Sequence, residues 1–481
     1  MSNEATKEVD VGSQNNWTPN KVDIKSITLF RFDNVSSRFG RSGETQGINL
    51  APSFASVEID QSMYSPFVSM KIVVGAPMGL VENFGPGGLQ GEEFILVEFN
   101  TKARRMFSMV FFVTHVDTTS DVLDQGQVAT FNCVAIEKLY NDISTVNQSF
   151  KSTMSRAAQK IFQNKIVNNP TARKLGTVLN QSSAFWSSTT NLEVIEHTQR
   201  EEDFIIPGFT PFDAINFCLR RSYSSRSLSS YFLFYQTSQG FRYDSVEARI
   251  QKGKRIIDGV VNEAKRAKEG VDPTGLFFTN QHNAGAFMDA FSGRLNRNIK
   301  SATRVSRPDT LQRLNEGAFF NNVRAIDFYG KNYTDTEFKI RNKYNRFERL
   351  GDKFSLSDSF VETVCENEEF DFQYFQDTTR RNQAFEKIIG SRLAYIDLLT
   401  TYGLNIVVPG DSEIVPGDVI WVDLGEANVG LGGLEGTPLV ESLFSRMWLV
   451  VGHKIIFDQG EITSVLTIVK DSIADVNKGD R

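Results

Sequence analysis

A three-part pattern occurs twice in this chain of 481 residues, once near each end. The first copy begins Glu93-Phe94-Ile95-Leu96-Val97-Glu98-Phe99 and the second Asp418-Val419-Ile420-Trp421-Val422-Asp423-Leu424, with acids in matching places around an apolar run. A segment ending in histidine follows each, Phe111-Phe112-Val113-Thr114-His115 and Leu449-Val450-Val451-Gly452-His453. Each copy then closes on an alternating stretch, residues 127–134 and 461–468. Alternation alone is the period of any half-buried strand. The shared order, the placed acids and the histidine point further, to repetition of a whole β-domain. Three chains carrying two such domains each could close into a ring that joins three-fold to six-fold parts.

The remaining sequence divides around these copies. Residues 1–20 are polar and read as a flexible arm. Residues 21–140 hold short alternating stretches, such as Ser56-Val57-Glu58-Ile59-Asp60, separated by turns, and are expected to form a first antiparallel barrel. Residues 141–227 change character: Ala158, Ile161, Phe162 and Ile166 have helical spacing. Thr210-Pro211-Phe212-Asp213 is a helix start, with Thr210 as N-cap, Pro211 at the first helical position and Asp213 as the third-position acid. Residues 228–250 predict a hairpin, 251–345 a partly helical insertion, 346–475 a second barrel preceded by a helix, and 476–481 a tail. The fold class expected is mainly β with an α+β middle.

Composition narrows the chemistry. At ~150 residues per domain the chain holds three or four domains. Its 39 Phe against 12 Tyr and 4 Trp fill several small cores without needing hydroxyl partners. A net charge of −6 provides no basic field for nucleic acid. Cys133, Cys218 and Cys365 are odd in number and far apart, so they read as reduced and buried. The first residues carry neither a cationic start nor an apolar stretch, so no secretory signal is expected, and no run approaches the ~20 apolar residues of a membrane helix.

No catalytic group stands out. The histidines are His115, His197, His282 and His453; none has metal-ligand spacing, and no Cys-x-x-Cys occurs. His115 and His453 fall at matching places in the repeat and are expected to be structural. The loop 85–91 precedes a strand where a dinucleotide loop would precede a helix, so it is a turn. No metal or cofactor is expected. In that loop Pro86 and Leu89, and in the Gly-rich loop 430–436 Leu431 and Leu434, are candidate partner contacts. The acids Glu201-Glu202-Asp203 read as a solvated face. A cell-wall hydrolase, with carboxylates meeting in the α+β middle, is the rival from another class.

Three segments resemble the baseplate hub proteins of T-even-type contractile-tailed phages. They are 57–66 running to Gly91-Glu92-Glu93-Phe94-Ile95; 210–217 with 230–236 and 240–243; and Val415-Pro416-Gly417-Asp418-Val419 with 448–453 and 469–472. The resemblance implies two tail-tube-like barrels per subunit and a homotrimer in the virion's tail baseplate. That trimer would present a pseudo-hexameric ring to the tail tube or its initiator and hold the central spike protein on its other face, with baseplate wedge proteins around it. It also implies that the 231–243 hairpin joins the second barrel, and that any lytic activity belongs to the spike. A non-viral contractile injection system is the neighbouring reading.

Overall fold

The computed structural model describes residues 23–31, 47–76, 88–89, 91, 93–100, 106–120, 127–170, 191–199, 201–224, 226, 229–267, 276–279, 299–306, 320–327, 332–339, 348–351, 368–373, 391–392, 394–396, 398–399, 402–423, 446–458 and 461–472. Seven strands open the chain: β1 (Asp23–Arg31), β2 (Ile48–Asn49), β3 (Phe54–Ser62), β4 (Ser69–Ala76), β5 (Glu93–Asn100), β6 (Met106–Ser120) and β7 (Gln127–Ala135). Then come α1 (Ile136–Asp142), β8 (Val146–Ser152), α2 (Met154–Phe162) with a π turn (Gln163–Val167), β9 (Leu192–Glu193), β10 (Glu202–Phe209) and α3 (Pro211–Arg220). The hairpin β11 (Phe232–Thr237) and β12 (Gly240–Ser245) leads directly into α4 (Val246–Ala267). The last strands are β13 (Phe277–Thr279), β14 (Ser301–Ser306), β15 (Phe320–Asp327), β16 (Asn332–Lys339), β17 (Glu368–Gln373), β18 (Tyr402–Pro409), β19 (Val419–Asp423), β20 (Arg446–Asp458) and β21 (Glu461–Lys470). The chain is mainly antiparallel β, as its alternation predicts.

Thirteen strands share one sheet, and its topology contains the repeat. The neighbours β5-β6-β7-β4-β3 are matched by β19-β20-β21-β18-β14, every pairing antiparallel. The two ladders also share a β-bulge, between Val113 and His115 in β6 and between Val450 and Gly452 in β20. Levelling the bulges corrects the reading of the histidines. His115 stands level with Gly452, and His453 with Val116, one position away from the match that the sequence offers. A one-residue step in a strand turns a side chain to the other face. His115 is accordingly exposed beside Asp117, and His453 is buried.

The first ladder rolls up. Five ladder steps separate β20 from β5, which is about 24 Å along a flat sheet, yet the rings of Phe99 and Phe457 lie 4.6 Å apart. Ile59, Ile72, Val97, Phe111 and Phe131 fill the space enclosed, and Ile455 and Phe457 of β20 enter the same core. The second ladder gathers Phe278, Ile406, Ile420, Trp448 and Leu466 into a core of its own. Strand β5 is buried on both faces, because Phe94 and Leu96 point away from the barrel core into the α+β middle, against Phe150, Phe162 and Phe234. That second burial explains a run of apolar residues where simple alternation would place polar ones. Val419, Leu449 and Val469 likewise face outward, under α4 and Tyr395.

Several boundaries move. Thr210 caps α3 as predicted, its hydroxyl accepting from the Asp213 amide at 3.3 Å. Helix α4 starts at Val246, inside the segment 228–250 read as a hairpin, and Gly253 lets it approach β19 so closely that a Cβ there would overlap Val419. The segment read as a partly helical insertion contributes β13 and β14 to the second ladder, by pairing with β19 and β18. Its β15 and β16 join β17 in a separate sheet. The 231–243 hairpin does not extend the second ladder: β12 pairs with β9 in a three-stranded sheet. It reaches the ladders through side chains instead.

Candidate functional site

The hairpin β11–β12 turns over Ser238 and Gln239, and its tip sits where the two ladders join along β3 and β20. Toward the first ladder, Gln236 accepts from the Val68 amide at 3.1 Å and donates to Glu137 at 2.9 Å. The Ser238 amide donates to Gln61 at 2.8 Å. Toward the second, Gln239 donates to the Glu413 carbonyl at 2.9 Å, and Arg242 to the Pro416 carbonyl at 2.8 Å. One two-stranded element thus ties both halves together, through groups that burial would penalise if they were left unpaired.

The turn Val415-Pro416-Gly417-Asp418 is shaped for this contact. The Asp418 amide donates to the Val415 carbonyl at 3.1 Å, and the Asp418 carboxylate accepts from the Val415 amide at 3.1 Å. Gly417 has φ +91°, and a Cβ on it would overlap the Tyr235 hydroxyl. Both facts require glycine. Behind the hairpin, Arg249 bonds Asp244 and reaches Glu193 at 3.0 Å, and Lys252 reaches Glu193 at 2.9 Å. Burial works to raise the Glu193 pKa, but Arg249 and Lys252 outweigh it and hold the carboxyl at about 2.

Two further groups are buried near the join. Burial lifts the Glu137 carboxyl to about 7, against the bond from Gln236. Burial lowers His453 to about 4, against the nearby Asp411. The neutral ring donates from Nδ1 to the Ile414 carbonyl at 2.9 Å and accepts at Nε2 from Ser464 at 2.9 Å. Its role is to lock a loop to the sheet.

Of the candidate contacts, only Leu89 falls among the described residues. Leu89 is partly buried and packs against the first barrel core. Pro86, Leu431 and Leu434 lie outside the described residues, as do His282 and Cys365. Cys133 and Cys218 are free and buried. Glu201 is exposed and lies 3.9 Å from Arg156 on the surface. No group of three metal-ligating side chains occurs among the described residues, and no described helix is long and apolar enough to cross a membrane. The hairpin clamp itself was missed from sequence. Its signal was the polar pair Gln236 and Gln239 flanking a tight turn between aromatic strands.

No protein-family model matches the chain, and no curated protein matches it. Among solved structures it is similar to a tail protein from Neisseria meningitidis MC58, 12% identical with a TM-score of 0.47 over 93% of this chain and 96% of that one. It is also similar to the 43 kDa tail protein of prophage MuSo2 from Shewanella oneidensis, at 9% identity and a TM-score of 0.49 over 93% and 99%. A chain of the Francisella PdpA-VgrG complex is 10% identical with a TM-score of 0.42 over 98% and 61%. Likenesses this distant do not by themselves say what the chain does.

Proposed function

We propose that this chain is a structural subunit of a contractile tail, a baseplate hub that works as a homotrimer. The observation that carries the reading is the duplicated ladder: five strands in one order, antiparallel throughout, with the same bulge, occur twice in one chain. Three copies then present six nearly equivalent ladders about a three-fold axis, which suits a part that meets a six-fold tube on one side and a three-fold spike on the other. Wedge proteins would surround it. The hairpin clamp fits this work, since a symmetry adaptor needs its two ladders held at a fixed angle.

In this reading the chain performs no chemistry and needs no cofactor. The exposed pairing of Glu201 with Arg156 speaks only against Glu201 as a hydrolase acid, because a glycosidase requires carboxyls facing across a cleft. Native mass measurement of the purified full chain is the test: the reading expects three times the 54.1 kDa chain, and a monomer at micromolar concentration overturns it. On a peptidoglycan zymogram no clearing is expected. Clearing abolished by Glu201→Gln would replace the hub with the hydrolase.

A further inference from the structure

Within the chain, β3 lies against β20 in an antiparallel ladder from Gly452 opposite Ser62 to Asp458 opposite Ser56. The repeat gives both strands a counterpart. One row of paired residues crosses the first ladder through Val113, Cys133, Met70 and Ile59. The matching row crosses the second through Val450, Ile468, Leu404 and Arg304. Arg304 of β14 therefore stands where Ile59 of β3 stands. Level bulges likewise place Thr118 of β6 where Ile455 of β20 stands. Ile59 and Ile455 are direct partners across the internal junction.

The counterparts of these partners do not meet in one chain. Strand β14 ends the path of the sheet, and Ser301, Ala302, Thr303, Arg304 and Val305 are all exposed. Strand β6 pairs with β5 only through Met106–Phe112, so among the described residues no strand lies on that edge beyond Phe112. Among the described residues a donor strand at one end of the sheet and an acceptor edge on β6, beyond its pairing with β5, thus remain, each the counterpart of a strand in the junction already made once inside the chain.

We infer that β14 of one copy pairs antiparallel with residues 115–120 of β6 in a second copy, with Arg304 opposite Thr118. This rests on the ring reading above and names its interface. The contact is head to tail, and three of them alternate with three internal junctions to close a ring of six. Side-chain character agrees with the difference in history. The internal junction never parts, and its core face is apolar, with Val57, Ile59, Ile455 and Phe457 in the core, while Lys454 and Glu58 pair across its other face. The external one exposes Thr118, Thr303 and Arg304 to water before assembly, and polar or charged side chains on such edges keep them from pairing indiscriminately.

Cysteine pairing in the full chain tests the register. Facing residues in a ladder have Cβ atoms about 5 Å apart, close to disulfide geometry. A chain carrying Thr118→Cys with Arg304→Cys, oxidised after purification, is expected to run as covalent dimers and trimers on a non-reducing gel. A chain with Ser120→Cys and Ala302→Cys gives a second reading of the same register. His115→Cys with Arg304→Cys is the control: it sits about 10 Å along the strand and on the other face, and should cross-link at least tenfold less. The unsubstituted chain sets the background from natural cysteines. A native trimer in which neither expected pair cross-links above the control overturns this interface and leaves the ring standing. A monomer overturns both.

Discussion

Glu137 has 2% of its surface exposed, and there burial holds its carboxyl near 7 where an unfolded chain would hold it at 4.5. A raised pKa means that the folded state keeps the proton more tightly. Its contribution is complete below pH 4.5 and is lost as the pH rises through 7. His453 runs the other way, at about 4 in the fold against 6.5 unfolded, so its contribution is complete above 6.5 and is lost as the pH falls through 4. Each is worth on the order of 3 kcal/mol, and in the native chain the two slopes oppose. Glu137→Gln removes one of them. Relative to the native chain the variant should gain up to about 3 kcal/mol between pH 4 and pH 8, read from urea midpoints; an offset equal at both pH values would contradict the assignment. Gly417→Ala should cost about 3 kcal/mol, from strain at φ +91° and overlap with Tyr235. Equilibrium unfolding measures it.

At the scale of elements, the α3 cap and the β20 junction make separable contributions. Thr210→Ala removes one capping bond and should cost about 1 kcal/mol, with the rest of the fold unchanged by circular dichroism. Phe457→Ala empties a site in the first core against Phe99 and should cost about 4 kcal/mol. Because Phe457 lies on β20 yet packs in the first barrel, amide exchange should accelerate in β3 as well as in β20. Acceleration confined to β20 would show that the junction carries little of the coupling between the ladders.

For the whole molecule, one continuous sheet joins the two ladders. β20 pairs with β19 and β21 in the second ladder and with β3 in the first. A shared strand couples the halves, so β3 and β21 should lose amide protection together on titration with urea. Protection lost in two separate steps would count against that coupling, and against a rigid adaptor.

How much of this was legible follows from distance along the chain. Thr210, Pro211 and Asp213 announced the start of α3, because capping is a contact between neighbours in sequence. The alternation around Ile59 and Val97 announced half-buried strands for the same reason, and the order of segments revealed the duplication. The histidine register was not legible, because a bulge inserts one residue without changing composition and reverses the faces beyond it. Nor was the membership of β14, whose Ser301-Ala302-Thr303-Arg304 carries little apolar signal and becomes a strand only because β18 offers it an edge. The same holds for the clamp of Gln236, Gln239 and Arg242. Local pattern in the sequence decided most of the strands and helices; the fold decided which edges and buried polar groups meet, since such partners lie as far apart as Ser56 and Asp458 and no local pattern encodes so distant a contact.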